Sequence, residues 1–312
     1  MYNPLVSIVI PTYCQPEFII RAVESALMQD YENIEVIVSD DSPDTQTEIL
    51  LKPYIEKKSV TYKRNTPRLG RVLNYRTCLY EYAKGEWLVN LDGDDYFIDK
   101  SFISSAINAI NGDQSIVFVI ANGTISYPGG EKIEKRIPGN SSPFLKISGR
   151  TYFNNFKRKR GFFHLTILYN TELARSIDFY RMDILSADIE SILRLSLLGN
   201  VVLLDRNVGV WNLHSNNTSS TATYSQFMNN LLWIDSVLEF GKNYQYISRF
   251  ACVEWRYFVR NNELTGYILS KIKNSEKKEK KKIIFGFLKN HPTIFFFPVF
   301  LKKLIQYLIS NK

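Results

Sequence analysis

The sequence predicts an α/β protein on a Rossmann-like, doubly wound, mostly parallel sheet, with a helical extension at its C-terminal end. Apolar runs of strand length alternate with segments of helical periodicity through the first part of the chain. Three of those runs end in polar or acidic residues, where an open parallel sheet places its ligand crevice. With 312 residues, 45% of them hydrophobic and 14% aromatic, the chain can bury a full core, which excludes a disordered protein.

The elements follow in order. Leu5–Pro11 (LVSIVIP) is a continuous apolar run, as in a parallel strand buried on both faces. Pro16 marks a first helical turn, and Phe18, Ile19, Ala22, Val23, Ala26 and Leu27 follow at helical spacing. A second strand starts at Ile34 and ends in Asp40 and Asp41. A helix through Ile49, Leu50 and Tyr54 precedes a short third strand near Val60–Lys63. After Gly70, a helix carrying Val72, Leu73, Thr77, Leu79 and Tyr80 stops at Gly85. The stretch GEWLVNLDGDDYF (Gly85–Phe97) then supplies a central strand that runs into an acidic turn holding Asp92, Gly93, Asp94 and Asp95.

Beyond Asp99 the pattern predicts a helix over Ser101–Ile110, a strand at SIVFVIANG and a turn at Tyr127–Gly130. Polar and basic loops including Lys157–Arg160 follow, then a strand at FFHLTILYN whose His164 reads as structural. A helix over Ser186–Leu198 has Gly199 as its stop; next come the strand VVLLD and the polar loop that carries His214. From Thr223 the chain reads as helical. The expected division is a domain over residues 1–220, in two halves (about 1–100 and 101–220), followed by a helical region over 221–312.

The formal charge of +8 points to an anionic partner, and much of the lysine excess lies in Lys271–Lys282 and at Lys302 and Lys303. The last apolar blocks, Ile283–Ile309, are interrupted by Lys289, Pro292, Pro298 and Lys302, which excludes a clean spanning segment. Short aromatic and aliphatic blocks flanked by lysines suit an interfacial anchor on anionic lipid; the alternative is a helix packed on protein. Cys14, Cys78 and Cys252 lack metal-type spacing and read as free thiols, and the N-terminus carries no secretory pattern. Both features predict a cytoplasmic protein, and the basic, apolar tail predicts one peripheral on the cytoplasmic face of the inner membrane.

Three carboxylates on one strand end repel each other unless a cation sits between them, and their hard oxygens suit Mg²⁺ or Mn²⁺. One of them, or Asp99, capping the next helix is the plainer alternative. Thr12 offers a hydroxyl, Tyr13 a flat face for a base, and Asp40 an acceptor for the imide N–H of uracil or thymine; capping of the following helix is the alternative, for Asp41 more than for Asp40. Arg68 and Arg71 lie near a helix N-terminus, a good anion setting, or on solvated surface. Asp188, in the first turn of its helix, is held ionised and suits a general base; Ser186 and Asp188 as caps is the alternative. A lone His such as His214 is usually structural, but this one is placed to join a metal or a diphosphate.

Taken together, VSIVIPTY, VSDDSPD, LGRVLN followed by AKGEWLVNLDGDDYF, and SADIESILRLSLLGN with the later WNLH resemble a family 2 glycosyltransferase of the GT-A fold over roughly the first 220 residues. The resemblance implies that Asp92 and Asp94 are a DxD-type pair, with Asp94 the ligand of Mn²⁺ or Mg²⁺ and Asp92 nearer the sugar. It places Pro11, Thr12, Tyr13, Asp40, Arg68, Arg71, Asp92 and Gly93 at the nucleotide-sugar, Asp188 as base, and His214 by the diphosphate and metal. Where the family usually has Glu-Asp, this chain has Ala187-Asp188. The implied reaction is an inverting transfer from a UDP- or dTDP-sugar to a glycan hydroxyl, on a polyprenyl-diphosphate-linked acceptor of bacterial surface polysaccharide.

Three other readings compete. A nucleotidyltransferase normally has a Gly-rich phosphate loop early in the chain, and PTYCQPE has no glycine. A nucleic-acid binder interleaves aromatics with Arg, whereas the C-terminal aromatics lie in apolar blocks. A catalytically inactive scaffold of the same fold differs only in turnover.

Overall fold

A computed structural model describes residues 2–135, 143–157, 162–214, 217, 222–244, 246–273, 275–276 and 278–310. It divides into two compact units, Met1–Trp233 and Ile234–Lys312. The boundary expected at 220/221 lies outside the described residues, as do Arg158–Arg160 of the basic run.

The first unit is organised on one sheet. Strands β1 (Val6–Thr12), β2 (Ile34–Asp40), β3 (Thr61–Arg64) and β4 (Trp87–Asn90) form its parallel half, in the spatial order β3-β2-β1-β4. Every residue of β1 and β4 is buried, which is why these runs are continuously apolar rather than alternating. Helix α1 (Pro16–Leu27) has Pro16 in its first turn and buries Ile19, Ala22, Val23 and Ala26, the i, i+3, i+4, i+7 stripe of a helix laid on a sheet. Helix α2 (Gln46–Glu56) buries only Thr47 and Leu51, and α3 (Arg71–Thr77) passes into a π-helical turn at Cys78–Tyr82.

Past β4 the sheet is mixed. After the two-residue strand β5 (Tyr96–Phe97), helix α4 (Phe102–Ile110) buries Phe102, Ile103, Ala106, Ile107 and Ile110. Next come β6 (Ile116–Ser126), β7 (Lys132–Lys135), β8 (Phe144–Ser148), α5 (Gly149–Phe156), β9 (Ile167–Asn170), α6 (Thr171–Ser176), α7 (Ala187–Ser196) and β10 (Asn200–Asn212). Strand β9 lies between β4 and β6 and is antiparallel to both, whereas β6 and β10 are parallel. Among the described residues, parallel pairing is therefore confined to β1–β4 and to β6–β10. The strand expected at FFHLTILYN shortens to β9, because His164–Thr166 forms a 3₁₀ turn. The short helix α8 (Tyr224–Asn230) opens with a Thr223–Gln226 capping box.

Helix α9 (Leu232–Asn243) crosses the unit boundary. The second unit also holds α10 (Arg249–Lys273), α11 (Lys280–Asn290), a 3₁₀ turn at Pro292–Phe296 and α12 (Pro298–Ser310). Its core includes Trp255, Val259, Leu264, Phe287, Ile294, Phe297 and Phe300. Among the described residues no helix is long and apolar enough to cross a membrane.

Candidate active site

The carboxyl ends of β1, β2 and β4 lie side by side. Thr12 is in register with Asp40, and the main chain beyond β4 continues along β1 through Leu91 N–H to Val9 O (2.9 Å) and Gly93 N–H to Pro11 O (3.1 Å). The Asp41 N–H closes the other side on Thr12 O at 3.0 Å. Gly93 is required here: a Cβ on it would stand 2.6 Å from Thr12 Oγ1 and 2.8 Å from Gln15 Oε1.

The acidic turn differentiates its three carboxylates. Asp92 accepts from Asn90 Nδ2 at 2.9 Å; burial and the charge of Asp94 push its carboxyl up to about 7, against hydrogen bonding from Tyr75. Asp94 receives His214 Nε2 at 2.7 Å and Asn217 Nδ2 at 3.2 Å. Asp95 accepts the Asn212 N–H at 2.9 Å, and burial with the charges of Asp94 and Asp92 pushes it well up. Asp99 takes the Ser101 N–H at 3.0 Å just ahead of α4, and Ser101, the residue that precedes the helix, makes no side-chain cap bond. His214 is further held by its ring stacking on Phe18 of α1, with centroids 5.0 Å apart.

A divalent cation fits this donor set. Two carboxylates raised by burial and mutual repulsion are short of positive charge, and one oxygen donor plus one imidazole leave positions for water and substrate oxygens. Among the described residues no group of three or more His, Cys, Asp or Glu side chains is placed to hold a metal ion. Asp94 and His214 are thus the residues that would hold the ion.

The base-side residues divide. Tyr13 is 42% exposed, and the Arg68 guanidinium lies over its ring with Cζ 3.7 Å from the centroid and Nε 3.9 Å from Asp41. Asp40, expected to face a base, is fully enclosed: Oδ1 takes the Ser42 N–H at 2.8 Å and Oδ2 the Tyr62 hydroxyl at 2.8 Å. In this conformation it presents no oxygen to the crevice. The N–H groups entering α3 are likewise taken, since Asp41 accepts from Leu69 N at 3.1 Å and Gly70 N at 2.7 Å. That anion setting is filled by the chain's own carboxylate. Arg71 turns away from solvent and donates to Ile184 O (2.6 Å) and Leu185 O (3.1 Å).

Asp188 is the second residue of α7 and partly exposed, and its charge reaches Asp92, Arg71, Tyr75 and His164. Ser186 makes no cap bond; its N–H and hydroxyl both meet Asn230. Glu190 points elsewhere, buried against Arg194 Nε (2.7 Å) and Arg181 Nε (3.1 Å). His164, read as structural, bonds the Tyr180 hydroxyl at 2.6 Å, and burial pushes its imidazole down to about 4. Phe18, Tyr75, Asn90 and Asn217 join the site without a sequence signal, since each reads as an ordinary core or loop residue.

The sequence profile of Glycosyl transferase family 2 matches residues 7–174. An uncharacterized glycosyltransferase of Rickettsia typhi is 29% identical over 309 residues, covering 92% of this chain and 88% of its own. Rickettsia prowazekii and Rickettsia felis relatives are matched over 33% and 22% of their own lengths. The Escherichia coli UDP-Glc:α-D-GlcNAc-diphosphoundecaprenol β-1,3-glucosyltransferase WfaP is 36% identical over 94 residues, 30% of this chain and 37% of that enzyme. Among solved structures, S. aureus TarS 1–349 in complex with UDP-GlcNAc superposes with a TM-score of 0.57 at 17% identity, covering 93% of this chain and 90% of the other. Mannosyltransferase PcManGT from Pyrobaculum calidifontis, in complex with GDP-Man and Mn²⁺, gives 0.54 at 15% identity over 100% and 88%. The two structures share the fold, and the family profile spans more than half of the sequence: the chain belongs to glycosyltransferase family 2, with a GT-A fold.

Proposed function

We propose that the protein is an inverting, divalent-metal-dependent glycosyltransferase that moves a sugar from a UDP- or dTDP-sugar to a hydroxyl of a polyprenyl-diphosphate-linked glycan in bacterial surface-polysaccharide synthesis. The observation that carries it is the acidic turn after β4, where Asp94 meets His214 and the charge of Asp188 reaches Asp92. The uridine preference is supported by the names of the WfaP relative and the TarS complex, not by Asp40.

In this reading Tyr13 and Arg68 form the platform for the base, while Pro11, Thr12 and Gly93 let the main chain approach the nucleotide closely. Asp92 faces the donor sugar. Asp188 accepts the proton of the acceptor hydroxyl as its oxygen bonds to the anomeric carbon; the bond from that carbon to the diphosphate breaks, and one displacement inverts the anomer. Mn²⁺ or Mg²⁺ held by Asp94 and His214 would supply positive charge where the leaving diphosphate gains negative charge.

The decisive experiment is thermal unfolding with UDP, dTDP and GDP, each with and without Mn²⁺. A nucleotide at about 100 times its dissociation constant stabilises by roughly 2.7 kcal/mol. The reading requires a UDP or dTDP shift that needs Mn²⁺ and is lost in Asp94→Ala. If no nucleotide shifts the wild type, an inactive scaffold replaces the transferase.

The second unit supports the membrane side of the proposal. Residues 280–312 carry seven lysines and no Asp or Glu. Phe285 and Phe296 are 74% and 78% exposed, and Lys281 and Lys289 lie one turn either side of Phe285 on α11. Exposed aromatics among lysines fit an anionic bilayer surface better than a packed protein face. The protein should sediment with phosphatidylglycerol vesicles and not with phosphatidylcholine ones, and Phe285→Ser/Phe296→Ser should release it. Equal sedimentation of the double variant would remove this part of the proposal.

A further inference from the structure

We infer that Arg71 is a positioning residue that clamps the entry to α7, and with it Asp188, onto the donor half of the site; this rests on Asp188 being the base.

The clamp begins from a rigid anchor. Asp41, 2% exposed at the end of β2, binds the Leu69 and Gly70 N–H groups at 3.1 and 2.7 Å, and Gly70 adopts φ +86° to turn the chain into α3. Arg71, first residue of α3, therefore leaves the sheet end at a fixed point. From there its Nη2 crosses 113 residues of sequence to two successive carbonyls, Ile184 O at 2.6 Å and Leu185 O at 3.1 Å. Those carbonyls immediately precede Ser186 and the helix whose second residue is Asp188.

The guanidinium is committed on its other side too. It lies over the ring of Tyr75, one helical turn on and 6% exposed, with Cζ 5.5 Å from the ring centre. The charges of Arg71 and of Asp92 both act on Tyr75. One side chain thus joins the electrostatic surroundings of the acidic turn to the loop that aims Asp188. Lysine cannot replace it, because a single ammonium lacks the planar fork that reaches both carbonyls while covering the ring. Asn230 fixes the other side of the loop, its Oδ1 on the Ser186 N–H at 2.8 Å and its Nδ2 on the Ser186 hydroxyl at 2.9 Å. The loop is held from both sides, and Arg71 links it to the nucleotide half.

The test uses the full chain with Arg71→Met and, as the variant that keeps stem and charge, Arg71→Lys. Amide hydrogen exchange over residues 184–190 should rise about tenfold or more in both. UDP binding with Mn²⁺ should stay within about twofold of wild type, because no phosphate contact is lost. On a nucleotide sugar that the wild type turns over, kcat should fall at least tenfold while donor KM stays within about twofold. A tenfold loss of UDP affinity with unchanged exchange at 184–190 would make Arg71 a phosphate ligand and overturn the inference, as would unchanged exchange by itself. A wild type that binds no nucleotide sinks the transferase reading instead and leaves the exchange result to judge the clamp.

Discussion

At the scale of single residues, neighbouring acids of this site receive different jobs from their partners. Asp94 takes an imidazole, Asp95 a main-chain N–H, and Asp92 a side-chain amide. Asp188 has a different setting, a helix first turn at the crevice, so Asp188→Asn should lower kcat by about 10²–10⁴ while leaving UDP–Mn²⁺ binding intact. A combined loss of binding and turnover would move the base elsewhere. His164 supplies a pH signature. Its imidazole is pushed from 6.5 to about 4 by burial, so the unfolded chain binds a proton that the folded chain refuses. Its contribution is present above pH 6.5 and is lost as pH falls through that window toward 4, at up to about 1.4 kcal/mol per pH unit. Urea unfolding at pH 7, 6, 5 and 4 should show a shallower acid loss for His164→Gln than for wild type.

At the scale of elements, the site depends on how closely strands and helices approach. The Gly93 turn sits against Thr12 and Gln15 with no room for a methyl group, so Gly93→Ala should cost about 1–3 kcal/mol of stability and weaken UDP binding. Gly266, inside α10, is the contrasting case: nothing lies within 4 Å of a Cβ there. Gly266→Ala should therefore stabilise by about 0.5–1 kcal/mol, read as a raised urea midpoint with unchanged slope. The elements that carry the parallel half were legible because a doubly buried strand must be continuously apolar and a helix on a sheet must repeat at 3.6 residues, as Val6–Thr12 and Pro16–Leu27 do. The direction of β9 was not legible. Ile167–Asn170 is a short apolar run, and such a run packs equally well either way along the sheet.

At the scale of the whole molecule, the first unit carries the chemistry and the second a cationic, partly aromatic surface without acids after Lys280. Transfer should vanish on removing divalent metal with EDTA and return with Mn²⁺, and the product should carry the opposite anomeric configuration to the donor. Retention of configuration, seen by proton NMR of the product, would rule out the single displacement.

The sequence by itself determined the α/β class, the order of the first four strands, and the acids at strand ends, since burial and helical periodicity act on residues near one another in the chain. The family resemblance in its motifs also singled out Asp94, His214 and Asp188. Only the tertiary structure decided which side chains those acids meet. Asp40 turned inward because Tyr62, on the neighbouring strand, supplies its hydroxyl, and Asp41 claimed the N–H groups that a phosphate was expected to use. Arg71 found its carbonyls 113 residues away. Contacts of that range depend on packing geometry, which no local pattern of residue types encodes.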